Sequence, residues 1–403
     1  MLRQRRNPAD SGADHSVMRE LNRSLVLDQI KQTSPVSRAD LAKVTALAKP
    51  TVSAIVDALL SEDLVREIGT GSTGREGGRP PILIEFNARS QFVVGVHLGV
   101  RRTTAVIADA RGEEITRVQR PTVHGPAESA VRRIAEMIEE TVAAAGVSRK
   151  RLVAVGVCVP GLVDLTSGVV MLAPNLGWRD VGMRQMLSDL IEVPVFIHNS
   201  AQASAVAESI LGAGSGARDL VFLYAGTGIG AGVLSEGRLF HGGAGIAGEI
   251  GHCRVPGATA RCNCGKIGCL ETVASGPAIA KAAGSKTAAG PDPTAEQVAL
   301  AAAAGDEKAA AVVANAGEAL GIAASWLINL FNPEVLVVGG GLVGAGDLLV
   351  EPLRKAALEM SLPQAADRVS IRTSSLGQDA EVAGAVLVAL QYSETYYRVI
   401  FQS

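Results

Sequence analysis

Between Met18 and Leu64 apolar residues recur at helical spacing. In MRELNRSLVLDQIKQ, Leu21, Leu25, Val26 and Ile30 define one helix, and Thr33, Ser34 and Pro35 end it. The next stretch, SRADLAKVTALAKPTVSAIVDALLSEDLV, divides into two further helices about a short turn. Ser37 with Asp40 forms a capping arrangement for the first, and Pro50 suits the first turn of the second. Leu41, Val44, Leu47, Val52, Ile55, Val56, Leu59, Leu60 and Leu64 are the expected contacts of a trihelical core. VREIGTGSTGREGGRPPILIEF then predicts two strands around a Gly-rich basic tip, a β-hairpin wing. Residues 1–15, with Pro8, Gly12 and no apolar period, read as a mobile arm. The winged helix-turn-helix unit is therefore placed at 16–88, with a boundary between Ala88 and Gln91.

The pattern changes from Phe92 onward. FVVGVHLG, TTAVIAD, LVAVGVCVPG, PVFIHN, DLVFLYAG, GAGVLSEG and EVLVVGGG are short apolar runs ending in glycine or polar residues, several of them separated by helical stretches. Such alternation predicts an α/β fold whose loops at strand ends build a site. The Ala-rich segment from Ala278 to about Ala324, interrupted by GPDP, reads as helical packing material.

A chain of 403 residues exceeds what one core usually serves, and 47% hydrophobic against 19% charged residues excludes disorder as its main state. The net charge of -2, from 38 basic and 40 acidic residues, excludes a protein held on nucleic acid or membrane by its overall field. No apolar run approaches the roughly 20 residues that cross a bilayer, and no apolar segment follows the basic opening MLRQRRNPADSGADHS. A cytoplasmic protein without a membrane partner is expected.

Any DNA contact must then be local. A helix-turn-helix with a wing sets its second helix in a major groove and the wing over the adjacent backbone. Lys49, Thr51 and Ser53 are the candidate readers near the N-terminus of that helix, and Arg75 and Arg79 are candidates on the tip GREGGRPP. Gly and Pro around those arginines permit close approach to a groove. Trihelical folds also serve as protein-interaction modules, and charge over residues 1–90 is nearly balanced. The helices, wing and arginines together favour double-stranded DNA. One module reads half a site, so a homodimer or homotetramer is expected.

Four of the five cysteines fall between positions 253 and 269. His252, Cys262, Cys264 and Cys269 form H-x9-C-x-C-x4-C, with Gly265 and Gly268 permitting the turn that returns the last thiolate. This is a Cys3His donor set suited to a closed tetrahedral zinc site. The competing readings are inert buried cysteines and a redox pair at Cys262 and Cys264. Three thiols beside a histidine suit an apolar core poorly, and C-x-C is not the usual redox spacing. Cys253 is the one substitute ligand, and its side chain should point away if His252 binds metal.

GEIGH at 248–252, CNCGKIGCLE at 262–271, VPGLVD at 159–164 and APNLGW at 173–178 resemble the signatures of the ROK family, which includes sugar kinases and sugar-responsive repressors. The N-terminal segment and GRPP resemble the DNA-binding part of the repressor branch. The resemblance implies a two-lobed actin-like ATPase fold of the sugar kinase and RNase H-like type, with sugar in the cleft and a structural Zn2+ beside it. The first lobe would span 91–198, joined by a helix near 380–392, and the second 199–379. It further implies Gly161, Asn199, Glu249, His252 and Glu271 as sugar ligands. Carboxylates accept hydrogen bonds from vicinal hydroxyls, and a metal-bound histidine has one tautomer with its second nitrogen free for a ligand.

The departures concern catalysis. Kinase members of the family place an aspartate where this chain, in HNSAQASA, has Ser200, and a serine without an adjacent base cannot take the proton of an attacking hydroxyl. The kinase turn D-x-G-G-T is replaced by His97-Leu98-Gly99-Val100-Arg101-Arg102, which removes the acid that would manage Mg2+. The glycine loops AGTGIGAG (225–232) and VVGGG (337–341) remain. The sequence therefore predicts a transcriptional regulator, a repressor of carbohydrate genes that is not an enzyme. Its cleft would sense a sugar or, with the repelling aspartate gone, a sugar phosphate. The rival reading is an active sugar kinase carrying a DNA-binding module. A third is an interaction scaffold with an empty cleft.

Overall fold

The computed structural model describes residues 8–72, 80–284, 287–290 and 292–391, with side chains from residue 18 onward. Arg75 and Arg79 lie outside the described residues. So do residues 1–7 of the expected arm.

The N-terminal unit comprises α1 (Pro8–Thr33), β1 (Val36–Ser37), α2 (Arg38–Thr45), α3 (Lys49–Ser61), β2 (Val65–Thr70) and β3 (Ile82–Phe86). Helix α1 begins at Pro8, which corrects the expectation of an arm reaching residue 15. Proline at a first helical position forfeits only an N–H that no helical carbonyl could have reached. Ser37 caps α2: its hydroxyl accepts the Asp40 N–H at 3.2 Å and donates to Asp40 Oδ2 at 2.7 Å. Ser37→Ala should lower stability by about 1 kcal/mol in a denaturant titration. Ala46, in the left-handed region, turns the chain so that α2 and α3 meet at 120°.

Val26, Ile30, Leu41, Val52, Val56, Leu59 and Leu64 are buried together with Ile84 and Phe86 of the wing. Val44 is not part of this core and is 62% exposed, on the outer face of α2. Leu21 and Leu25 also face outward. Strand β3 pairs with β2 as expected and, on its other edge, with the short β1, fixing the wing to the helices.

Beyond residue 91 two five-stranded sheets follow one plan. The first contains β4 (Phe92–Leu98), β5 (Arg102–Asp109) and β6 (Glu114–Pro121) as an antiparallel meander, extended by β7 (Leu152–Val159) and β11 (Val195–Asn199) parallel to β4. Between them lie α4 (Ala127–Ala144), the small meander β8 (Leu162–Asp164), β9 (Val169–Ala173) and β10 (Trp178–Val181), and α5 (Met183–Ser188).

Helix α6 (Ser200–Leu211) leads into the second sheet. There β12 (Leu220–Ala225), β13 (Ile229–Ser235) and β14 (Arg238–Leu239) form the meander, and β15 (Val335–Gly339) and β16 (Ser370–Thr373) add in parallel to β12. Helices α7 (Glu271–Ala274), α8 (Gly276–Ala283), α9 (Ala295–Ala303) and α10 (Glu307–Phe331) account for the Ala-rich segment, followed by α11 (Asp347–Glu359) and α12 (Pro363–Ala366). By length and composition α10 could cross a membrane, contrary to the hydropathy expectation. Its burial has another source: Gly317 and Gly321 bring its backbone against the Leu349 and Leu353 carbonyls of α11, where any Cβ would stand 2.3 Å from the oxygen.

The final helix, α13 (Ala380–Gln391), returns to the first sheet. Gly95 of β4 and Gly156 of β7 make room for it, since a Cβ on Gly156 would lie 2.2 Å from the Ala385 carbonyl oxygen. Its Gly384 rests on Ala203 of α6, so α6 and α13 form the layer between the two sheets.

The winged unit is attached by more than a connecting peptide. Ala110, in the β5–β6 turn, is buried in the winged unit's core, and its N–H donates to the Ala88 carbonyl at 3.0 Å. The Lys31 ammonium lies 5.2 Å from the Phe86 ring centroid and the Arg111 guanidinium 5.5 Å from it.

Candidate ligand cleft and metal centre

Strands β4, β7 and β11 run parallel and end side by side at Leu98, Val159 and Asn199, the position where open α/β sheets bind ligands. A cleft opens there, and Gly161, Asn199, Ser200, Glu249, His252 and Glu271 all line it. The sequence-predicted ligand residues are thus brought together. The cleft is also lined by His97, Asn175, Tyr224 and Thr227, to which the sequence reading gave no ligand role. Asn175 lies inside the quoted motif APNLGW, so its signal was present there.

Each wall is held by backbone that only glycine can supply. Gly161 has φ 111°, and a Cβ would meet the Leu172 carbonyl oxygen at 2.3 Å. Asn199 caps α6, accepting the Gln202 N–H at 3.0 Å while its amide donates to the Gly161 carbonyl at 2.8 Å. Much of its hydrogen-bonding capacity goes into fixing that turn. On the facing wall Gly248 and Gly251 press the Glu249–His252 turn onto β13, where added Cβ atoms would lie 1.9 and 2.1 Å from the Ala231 and Ile229 carbonyls. Glu271 Oε2 accepts the Ile229 N–H at 3.1 Å, and Gly228 leaves the space this carboxylate and Asn175 occupy.

Burial, reinforced by the Glu271 carboxylate, holds Glu249 at about 7, above the usual carboxylate range. Burial lowers His97 to about 4 and keeps its imidazole neutral. Tyr224 is pushed up by burial and by the buried Glu381 of α13, to which its hydroxyl is hydrogen-bonded. Ser200 opens α6, only 8% exposed, and its hydroxyl has no protein partner. Neither Arg101 nor Arg102 lines the cleft; both are exposed, and Arg102 donates to Gln378 at 2.6 Å.

The donor atoms of His252, Cys262, Cys264 and Cys269 lie within 4.8 Å of one another. Cys262 Sγ is 3.7 Å from His252 Nδ1, and Cys264 Sγ is 3.7 Å from Cys269 Sγ. Tetrahedral zinc with bonds of about 2.0–2.3 Å requires ligand separations of roughly 3.6–3.8 Å, so the donor set fits. Gly265 (φ 95°) and Gly268 (φ 78°) make the return turn. Cys253 is exposed and outside the cluster, as expected if His252 is the ligand. With Nδ1 turned toward the sulfurs, His252 Nε2 lies 3.9 Å from Glu249 Oε2, on the cleft side.

On α3, Lys49 and Thr51 are exposed, and Ser53 is half-buried, its carbonyl 3.4 Å from the Arg38 guanidinium. Ala54 is exposed on the same helix, a small residue that leaves room for close approach.

Residues 93–392 match the ROK family. The chain belongs to it. Among ROK proteins it is similar to the xylose repressor of Caldicellulosiruptor bescii, 31% identical over 389 residues, covering 94% of this chain and 97% of that repressor. It also resembles the crystal structure of a ROK-family transcriptional regulator homologous to the Escherichia coli MLC protein: TM-score 0.78, 28% identity, 92% of this chain and 96% of that one. The ROK glucokinase from Streptomyces griseus, solved with glucose and AMPPNP, matches with TM-score 0.67 and 28% identity over 74% of this chain and 99% of its own. Similarity to the repressors therefore extends over nearly the whole chain, whereas that kinase matches only about three quarters of it.

Proposed function

We propose that this ROK protein is a cytoplasmic DNA-binding transcriptional regulator, a repressor of carbohydrate genes, whose cleft senses a sugar or sugar derivative without phosphorylating it. The observation that carries this reading is the joining of a winged helix-turn-helix to a sugar kinase-like cleft in one chain similar to repressors over nearly its full length. Gly161, Asn199, Ser200, Glu249, His252 and Glu271 would contact the effector, and a structural zinc on His252, Cys262, Cys264 and Cys269 would fix the histidine and the loop before Glu271. Lys49, Thr51, Ser53, Arg75 and Arg79 would contact the operator, with a second copy reading the other half-site.

Non-catalysis follows from Ser200 and His97. A kinase needs a base on the acceptor hydroxyl and an acid to manage Mg2+; a serine at the start of α6 and a neutral imidazole at the end of β4 supply neither. Effector binding would act through lobe closure around α6 and α13. It can shift DNA affinity only as far as it binds one lobe arrangement more tightly than the other.

A thermal-shift screen of sugars and sugar phosphates, followed by operator binding with each hit, tests the reading. A hit should change affinity for DNA upstream of the genes it controls, and Glu249→Gln should weaken that hit about tenfold or more, since a carboxyl group with two oxygens for its hydroxyls is replaced by an amide with one. ATP-dependent phosphorylation of any sugar in a coupled assay would instead establish the kinase reading.

A further inference from the structure

Residues 240–248 leave the second sheet after β14 and deliver the chain to Glu249. Gly242, Gly243, Gly245 and Gly248 give this strap little conformational preference of its own. Its described backbone bonds gather at its two ends: the Phe240 N–H donates to the Val233 carbonyl at 2.8 Å, the Ala247 N–H to the His241 carbonyl at 3.1 Å, and the Ala231 N–H to the Gly248 carbonyl at 2.7 Å. The His241 ring, 5.7 Å from that of His198 on β11, anchors the root.

The stretch between is held by a side chain. Gln202 of α6, 1% exposed, donates its amide to the Gly245 carbonyl at 3.2 Å and to the Ala247 carbonyl at 2.9 Å. Its own N–H is the one that Asn199 Oδ1 accepts, and the Asn199 amide donates to the Gly161 carbonyl. One hydrogen-bonded run therefore joins the two walls of the cleft, from the Gly161 turn to within two residues of Glu249. Gln202 Oε1 is buried without a protein partner. An apolar side chain of similar size would avoid that cost, so what the glutamine adds at this position is its donors rather than its packing.

We infer that Gln202 is a positioning residue for the effector: it clasps the strap to α6 and so sets Glu249 against the ligand. Gln202 does not itself line the cleft, and it acts through Glu249. With the strap released, the carboxylate would sample many arrangements, few of which meet the sugar hydroxyls, and the cost of ordering it would fall on binding. The clasp rests on the effector-sensing reading for its ligand and on its own hydrogen bonds for its geometry.

Gln202→Met in the full chain, a side chain of similar length without donors, tests it. Hydrogen exchange should speed about tenfold or more at the Ala247 and Ala231 amides, which bond within and onto the strap, and stay unchanged in β4 and β7. Calorimetry with glucose, xylose and N-acetylglucosamine should show each sugar that binds weakened about tenfold, at unchanged metal content. In a Glu249→Ala background the same substitution should cost no more than about twofold, because the group it acts through is gone. Unchanged exchange at the two amides overturns the clasp, as does exchange that rises equally in β4 and β7. Unchanged sugar affinity with a released strap overturns the positioning role, and so does a full loss in the Glu249→Ala background. If the methionine variant does not fold, the same readings on Gln202→Leu have the same force. Faster strap exchange in a protein that binds none of the sugars keeps the clasp and removes sugar sensing.

Discussion

Gly156→Val should cost roughly 3 kcal/mol or more and lower the midpoint of chemical denaturation accordingly. At position 156 even the first added carbon meets backbone, 2.2 Å from the Ala385 carbonyl oxygen and 2.8 Å from the Ala389 nitrogen. No rotamer change relieves a backbone clash, so α13 must lift from the sheet. Lifting it also strips Gly384 from Ala203 and uncovers the layer shared with α6. Gly182→Ala is the control, because its added carbon meets nothing within 4 Å and its φ of -72° suits any residue. Equal destabilisation of the two variants would mean that α13 is not seated on the glycines of β4 and β7.

Cys264→Ser should bring metal content from one equivalent to none and weaken effector binding at least about tenfold. The loop between His252 and Glu271 has little regular structure; its described backbone bonds include Cys262 N–H to Lys266 and Gly268 N–H to Ala260. Without a cation three thiols are held within 4.8 Å of one another, Cys264 and Cys269 at 3.7 Å, and burial pushes Cys269 upward, toward its neutral form. A divalent ion reverses this by binding thiolates, and it ties His252 and Glu271 to one rigid frame. The check is metal analysis by mass spectrometry beside calorimetry of the same preparation. Absence of zinc from unmodified protein purified without chelator would refute the metal centre.

The features legible in the sequence are those written in short stretches of it. Ser37 and Asp40, Pro50, the helical spacing of Val52, Ile55, Val56 and Leu59, and the cysteine spacing each determine geometry within a few residues, and each is found where expected. The return of a helix near 380–392 to the first lobe was legible only through the family resemblance, and the residues that seat it were not. Gly95 and Gly156 look like ordinary strand residues until α13, from the far end of the described chain, lies on them. Ala110, to which the sequence assigned no role, is buried in the core of the winged unit, so the boundary near Ala88 is a packed joint. The same limit hid Tyr224 and Thr227: their strand and turn were visible, but the opposing wall that makes them cleft residues was not. Val44 shows the converse error, an apolar residue at helical spacing whose neighbours leave it facing outward.

The order in which the chain is made has a consequence for α13. The strands it covers, β4 and β7, leave the ribosome long before Ala380 does, and nothing else among the described elements occupies the glycine-flattened strip they present. During synthesis the first lobe therefore carries an apolar sheet face with no cover, the type of surface that chaperones bind and that drives aggregation. A ribosome stalled before codon 380 would hold a protein with both sheets translated and neither lobe finished. Completion of the first lobe is thereby a late event, and premature termination before α13 (Ala380–Gln391) is complete should yield insoluble chains rather than a regulator lacking only a peripheral helix.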